Sequence, residues 1–229
     1  IWIATEDGLN RYDGAKFTIY KHEPNNEHSL AHNFVRTVFE DSKGHLLIGT
    51  YIGIQMYDPA TDNFTPLAKL EDTGETLESN INSFIERKNG EIWVSGNVLC
   101  KLDIKDHLLT VRKVDIAVTS PGSLFEDKKQ NVWMAKGEEG VYQLTPDNQL
   151  TLHLSKDNGY VKSICEDQRG NIYVGSIRKG LFIYDKERKT FVPVDLKEKG
   201  ELPVCFLYSG IPNELYIGTD GKGVAIYNI

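Results

Sequence analysis

The feature that most constrains the fold of this chain is a short phrase that recurs along it. The phrase reads EDSKGHLLIGT from Glu40, ERKNGEIWVSG from Glu86, EDKKQNVWMAK from Glu126 and EDQRGNIYVGS from Glu166. The large apolar residue at its centre recurs at intervals of 40 to 46 residues, as Trp2, Leu47, Trp93, Trp133, Tyr173 and Tyr216. Self-similarity at such a period is typical of a repeat architecture, so we expect each period to form one structural unit.

Within each repeat, apolar residues alternate at period two, which predicts strands rather than helices. The segment after the central residue reads GLNRY from Gly8, GIQMY from Gly53 and GLFIY from Gly180. Shorter apolar segments precede and follow it, such as VRTVFE from Val35 and the segment from Phe191 to Val194. Four short antiparallel strands in a repeat of this length predict an all-β chain, a β-propeller with one four-stranded blade per repeat.

The turn before each central residue has its own signature. A type I turn followed by a bulge needs a positive φ three residues before the central residue. The residues at that position are Gly44, Gly90, Gly170, Gln130 and Asn213. Three aspartates begin the same turns: Asp41, Asp127 and Asp167. Because Asp bonds readily to nearby backbone, we expect these three to be turn formers rather than catalytic acids.

The residue two positions after each central residue is always small. These residues are Ala4, Gly49, Ser95, Ala135, Gly175 and Gly218. A small residue within a strand marks a place that another group approaches closely. We expect the bulky central residue of a neighbouring blade to pack there.

The repeats predict a single partial propeller over residues 1–229. Its six blades are expected at about residues 1–20, 35–67, 81–114, 120–154, 161–194 and 202–229. Four blades are complete, the first lacks its first strand and the last lacks its fourth, which predicts about 22 strands. Because the chain begins inside a repeat, we expect it to be part of a longer protein and the ring to be incomplete.

Composition and motifs exclude several classes of protein. A net charge of −7 and a pI near 5.4 make nucleic acid and anionic membrane poor partners. The sequence has no apolar run near the roughly 18 residues of a membrane span. Cys100, Cys165 and Cys205 lack metal-ligand or CxxC spacing, and His28 and His32 lack the Glu of a zinc motif. No cofactor, metal or catalytic residue is therefore predicted.

The segment SLAHNFVRTVFEDSKGHLLIGTYIGIQMYD, from Ser29 to Asp58, resembles the repeat of the two-component regulator propeller family. That repeat has a Ser-Leu start, an acidic turn with Gly, and Leu-Trp-Ile-Gly-Thr followed by Gly-Leu and Tyr-Asp. IWIATEDGLNRYDG at the start and ELYIGTDGKGVAIYN at the end resemble its second half. The resemblance implies a fragment of a seven-bladed ring in the periplasmic sensor region of a two-component histidine kinase, often a hybrid sensor that governs glycan uptake and breakdown.

The resemblance and propeller geometry place ligand recognition on loops between blades and between second and third strands. The candidate residues are Asn33, Tyr51, Asn80, Asn97, Tyr160, Arg178, Lys179 and Lys222. Amides, aromatic rings and cations of this kind can recognise sugar hydroxyls or uronic-acid carboxylates. The implied partners are an oligosaccharide, the remaining blades and downstream domains of the same receptor, and a second copy in a homodimer. The fragment is not expected to insert into the membrane.

Two alternatives to a non-enzymatic sensor remain open. A carbohydrate-active propeller enzyme, a lyase or hydrolase, would bring two carboxylates into one pocket. The loop carboxylates available for this are Glu6, Asp7, Glu138, Glu139 and Asp220. The second alternative is a protein-interaction scaffold without a small ligand.

Overall fold

The computed structural model describes residues 1–154, 159–196 and 202–229. All regular secondary structure in these ranges is β-strand, in 23 strands and six sheets, which confirms the predicted all-β, blade-like organisation. None of these residues forms a helix long and apolar enough to cross a membrane. The chain packs as two compact units, Ile1–Ser120 and Pro121–Ile229, each with three sheets.

The first unit contains blades one to three. Blade one consists of β1 (Trp2–Thr5), β2 (Gly8–Tyr12) and β3 (Phe17–Tyr20). Blade two consists of β4 (Val35–Glu40), β5 (Leu46–Thr50), β6 (Ile54–Asp58) and β7 (Asn63–Phe64). Blade three consists of β8 (Lys69–Leu70), β9 (Ser83–Glu86), β10 (Ile92–Ser95), β11 (Leu99–Lys105) and β12 (Leu108–Lys113).

The second unit contains blades four to six. Blade four consists of β13 (Leu124–Glu126), β14 (Val132–Lys136), β15 (Gly140–Leu144) and β16 (Leu150–Leu154). Blade five consists of β17 (Val161–Glu166), β18 (Ile172–Ser176), β19 (Gly180–Asp185) and β20 (Thr190–Pro193). Blade six consists of β21 (Val204–Tyr208), β22 (Glu214–Thr219) and β23 (Val224–Asn228). Consecutive strands pair antiparallel within each blade, except that β8 does not pair with β9.

Blade three departs from the prediction because it has five strands. The connection from blade two forms a small hairpin, in which Lys69 pairs with Thr76 and the Leu70 N–H donates to the Glu75 carbonyl. Its first arm, β8, lies parallel to β12 at the sheet edge. A parallel neighbour from an inter-blade connection is an addition to the repeat, so the repeat pattern could not predict it.

At two of the small positions, the residue packs against the start of the next blade. A Cβ at Gly49 would lie 2.6 Å from Ile81 Cγ2, and one at Gly175 would lie 2.4 Å from Val204 Cγ1. The prediction that the central aromatic residue of a neighbouring blade packs there was therefore wrong. An aliphatic side chain from the start of the next blade fills the space, and at Val204 a β-bulge follows it and re-aims the strand.

The central aromatic residue instead meets the third strand of the next blade. The Trp2 and Tyr57 ring centroids lie 4.8 Å apart, and those of Trp133 and Tyr184 lie 5.3 Å apart, both edge to face. Tyr57 and Tyr184 stand near the ends of β6 and β19. Aromatic residues at two places in the repeat therefore pack together across the blade interfaces of each unit.

The predicted turn chemistry is confirmed. Each of the three turn aspartates accepts bonds from the backbone N–H groups two and four positions later; for Asp127 the donors are Lys129 and Asn131, both at 2.9 Å. In blades two to six, the residue three positions before the central residue has a positive φ. This includes Gln130 at 66° and Asn213 at 60°. These turns hold the strands that they join in a fixed register.

Candidate functional site

Three of the sequence-predicted residues, Tyr51, Asn80 and Asn97, meet in one recess of the first unit. This loop recess has a volume of about 680 Å³. It is lined by Tyr51, Ile52, Leu67, Thr76, Glu78, Ser79, Asn80 and Asn97. The loops of blades two and three and the connection between those blades supply all of these residues.

The turn between β5 and β6 fixes the position of Tyr51. Thr50 Oγ1 accepts the N–H groups of Ile52 and Gly53 and donates to the Gly53 carbonyl. The Tyr51 N–H donates to the Phe34 carbonyl at 3.1 Å, which binds the turn to the neighbouring loop. The backbone of the turn is thus closed by its own bonds, and the Tyr51 side chain is free to face outward, 51% exposed.

Two neighbouring rings support Tyr51. The Phe34 ring is parallel to it within 2°, with centroids 6.2 Å apart, and the His32 ring lies at 5.6 Å. His32 Nδ1 accepts the Phe34 N–H at 2.9 Å, so the imidazole is held in its own loop. The Tyr51 ring is therefore a half-exposed aromatic surface in a fixed setting, suited to stacking against a flat ligand face.

A close approach of two backbones brings the two amides together. The Asn97 N–H donates to Ser79 Oγ at 2.9 Å. A Cβ at Gly96 would lie 2.4 Å from Ser79 Oγ and 2.8 Å from the Asn80 carbonyl oxygen, so only glycine permits this contact. The Asn80 Oδ1 atom is buried and has no hydrogen-bond partner among the described residues. An unpaired buried acceptor costs about 1–3 kcal/mol.

Thr76, Glu78 and Ser79 line the recess but were missed in the sequence. They belong to the polar run ETLESN, from Glu75 to Asn80, which stands immediately before blade three. A polar run in an inter-blade connection was the available signal. The β8 hairpin places these polar residues at the recess, and the sequence of that hairpin is not part of the repeat.

The structure places Asn33 outside the loop recess. Its Oδ1 accepts the His22 N–H at 2.8 Å, and its carbonyl accepts the N–H groups of Gly8 and Val35. These bonds tie the histidine-containing loop to blades one and two. Two imidazole rings of that loop are also hydrogen-bonded to backbone carbonyls: His22 Nδ1 to Leu30 at 2.9 Å and His28 Nδ1 to Phe64 at 3.2 Å.

Tyr160, Arg178 and Lys179 lie together in the second unit. A Cβ at Gly159 would lie 2.9 Å from Arg178 Cβ and 3.1 Å from Lys179 Cγ, so residue 159 packs against the β18–β19 turn. Tyr160 is 40% exposed, and its carbonyl accepts the N–H of Ile177 in that turn. Lys222 stands on a different turn, between β22 and β23.

Several loop carboxylates that an enzyme would need are in ion pairs. Glu138 pairs with Arg178 and Glu139 with Lys136, both at 2.7 Å. In the first unit, Asp7 pairs with Lys21, also at 2.7 Å. Within the residues that the structure describes, no three His, Cys, Asp or Glu side chains form a group that could hold a metal ion.

The sheets and their repeated turns define a protein of the β-propeller class, assembled from blade repeats. The model of the two component regulator propeller family matches residues 29–51 and 155–178. The first match lies within the segment whose resemblance was seen in the sequence, and the second is at the entry to blade five, for which no resemblance was noted. No match was found among curated protein sequences.

Solved structures show the same fold. Two extracellular domains from B. thetaiotaomicron proteins described as hybrid two component systems are 21% and 19% identical, with TM-scores of 0.75 and 0.77. They match over 98% and 99% of this chain, which spans 31% and 33% of their lengths. A catalytically inactive virginiamycin B lyase from Staphylococcus aureus, with quinupristin, is 12% identical, with a TM-score of 0.66 over 98% of this chain and 78% of the lyase.

Proposed function

We propose that this chain is a ligand-sensing part of the extracytoplasmic, periplasmic region of a two-component sensor histidine kinase. The regulator propeller repeats support the class of receptor, and the fold shared with extracellular domains of hybrid two component systems supports the location. The chain itself senses and does not catalyse. Kinase activity belongs to other domains of the parent receptor.

We further propose that the ligand is an oligosaccharide held in the loop recess. The observation that carries this proposal is the meeting of Tyr51 with Asn80 and Asn97 in a recess of about 680 Å³. A sugar ring has an apolar face that can stack on tyrosine and a rim of hydroxyls that can bond to amides. A volume of this size lies within the range of ligand sites, roughly 300–1,000 Å³.

The test is calorimetric titration of the chain with a panel of neutral and acidic oligosaccharides. We expect Tyr51→Ala to weaken binding about tenfold, because the stacking surface is lost. Tyr160→Ala is the matched control, since it removes another half-exposed tyrosine from the second unit. It should leave both the affinity and the circular dichroism spectrum unchanged.

Three results would contradict the proposal. If no oligosaccharide of the panel binds, the proposed ligand class is wrong. If the chain binds a protein partner instead, the function is that of a protein-interaction scaffold. Weakening by Tyr160→Ala but not by Tyr51→Ala would move the site to the second unit. Cleaved sugar found by product analysis after long incubation would favour an enzyme.

A further inference from the structure

We infer that the loop recess selects neutral, hydroxyl-rich sugars and rejects uronic acids, with Glu78 as the residue that sets this preference. The inference rests on the proposed oligosaccharide site and concerns its specificity. It differs from the expectation drawn from sequence, in which cations of the candidate set could bind uronic-acid carboxylates.

The charges around the recess favour this selection. Of its described lining residues, Glu78 alone carries a charge, and it is exposed. Arg36, whose Cζ lies 5.8 Å from the Phe34 ring centroid, does not line the recess. Lys69 lines a neighbouring recess and is not among the residues that line the loop recess. A carboxylate in the loop recess would therefore meet a like charge and no lining cation.

The candidate cations of the second unit are arranged differently. Arg178 Nη1 bonds Glu138 Oε1 at 2.7 Å, and Lys179 follows it in the same turn. Neither residue lines the loop recess. The expected combination of aromatic ring, amides and cation is thus divided, and the loop recess contains the ring and the amides without the cation.

Hydrogen-bond chemistry points in the same direction. Glu78 offers exposed carboxylate oxygens at the recess. A sugar hydroxyl can donate to these oxygens, whereas an ionised carboxylate is only an acceptor. Replacing a hydroxymethyl group by a carboxylate therefore removes a donor and adds repulsion.

The decisive experiment compares one uronic oligosaccharide with the neutral oligosaccharide made from it by carboxyl reduction. Both are titrated into the full chain at low and high salt. We expect the neutral form to bind about tenfold more tightly at low salt, the size of effect that a like charge a few ångströms away produces. Glu78→Gln should narrow that ratio by about three- to tenfold, because the uronic form loses the repulsion.

Glu75→Gln is the matched control, because Glu75 is exposed in the same hairpin but does not line the recess. It should leave the ratio as it is in the wild type. Equal or tighter binding of the uronic form, weakened by Tyr51→Ala, would overturn the charge selection and keep the oligosaccharide site. If the ratio of the neutral to the uronic affinity is unchanged in Glu78→Gln, Glu78 does not cause the preference. Absence of binding by both forms would contradict the proposed site itself.

Discussion

The acidic pair that opens the repeated phrase makes two kinds of contact. Asp167, 3% exposed, accepts the N–H groups of its own turn through Oδ1. Glu166 reaches back to the preceding blade and accepts the Lys128 N–H at 2.9 Å. Glu86 does the same for Ser42, at 2.7 Å. In blade five the phrase closes its own turn and binds blade four, and in blade three it binds blade two.

Where the turn aspartate is missing, another carboxylate replaces part of its role. Asp127 Oδ2 accepts the Trp133 Nε1–H at 2.9 Å. Blade three has Arg87 in place of the aspartate, and there Glu91 accepts the Nε1–H of Trp93 at 3.0 Å. The Lys101 ammonium, hydrogen-bonded to Glu91 at 2.6 Å, lowers the pKa of that carboxyl to about 2.

Removing the turn aspartate should cost stability. We expect Asp167→Ala to lower the free energy of unfolding by about 2–3 kcal/mol, because it leaves backbone and side-chain donors of the turn without their acceptor. Denaturant unfolding measures the loss. Asp185→Ala is the control, since Asp185 also accepts two backbone N–H groups but in an exposed turn, and it should cost less. Equal losses in the two variants would contradict the role of burial.

At the level of strands and hairpins, the sequence predicted what the repeat encodes. Alternating apolar residues located the blade strands, and the positive φ of Gln130 followed from its position in the repeat despite its side chain. The two-residue β8 could not be predicted, because it exists only through pairing with β12. In the site, Tyr51 and Asn80 were recognised as loop residues, whereas Glu78 depended on the fold of the β8 hairpin.

The contact between blades five and six offers a test at this level. We expect Gly175→Ala to lower the free energy of unfolding by about 1–3 kcal/mol, because the added Cβ would overlap the Val204 side chain. Val204→Ala makes room, so the double variant should be more stable than the sum of the two single losses predicts. Denaturant unfolding of the four proteins gives the coupling. Strictly additive losses would show that these residues do not pack together.

Considered as a whole, the chain combines repeated blades with loops that differ. Every blade has the same hairpin, yet the inter-blade connection carrying Glu78 and Asn80 is found between blades two and three. Binding residues concentrate on such loops because a rigid scaffold holds them in place. We therefore expect ligand recognition in the first unit, with the loops of the second unit unaffected by the same ligand.

Hydrogen–deuterium exchange over the whole chain, with and without the tightest oligosaccharide of the panel, tests this most directly. Binding in the loop recess should slow exchange at residues 50–53, 76–80 and 96–97, since ligand contact suppresses local opening. Residues 176–180 and 219–223 should exchange at unchanged rates. Slowing confined to the second unit, or none at saturating ligand, would contradict the assignment of the sensing site.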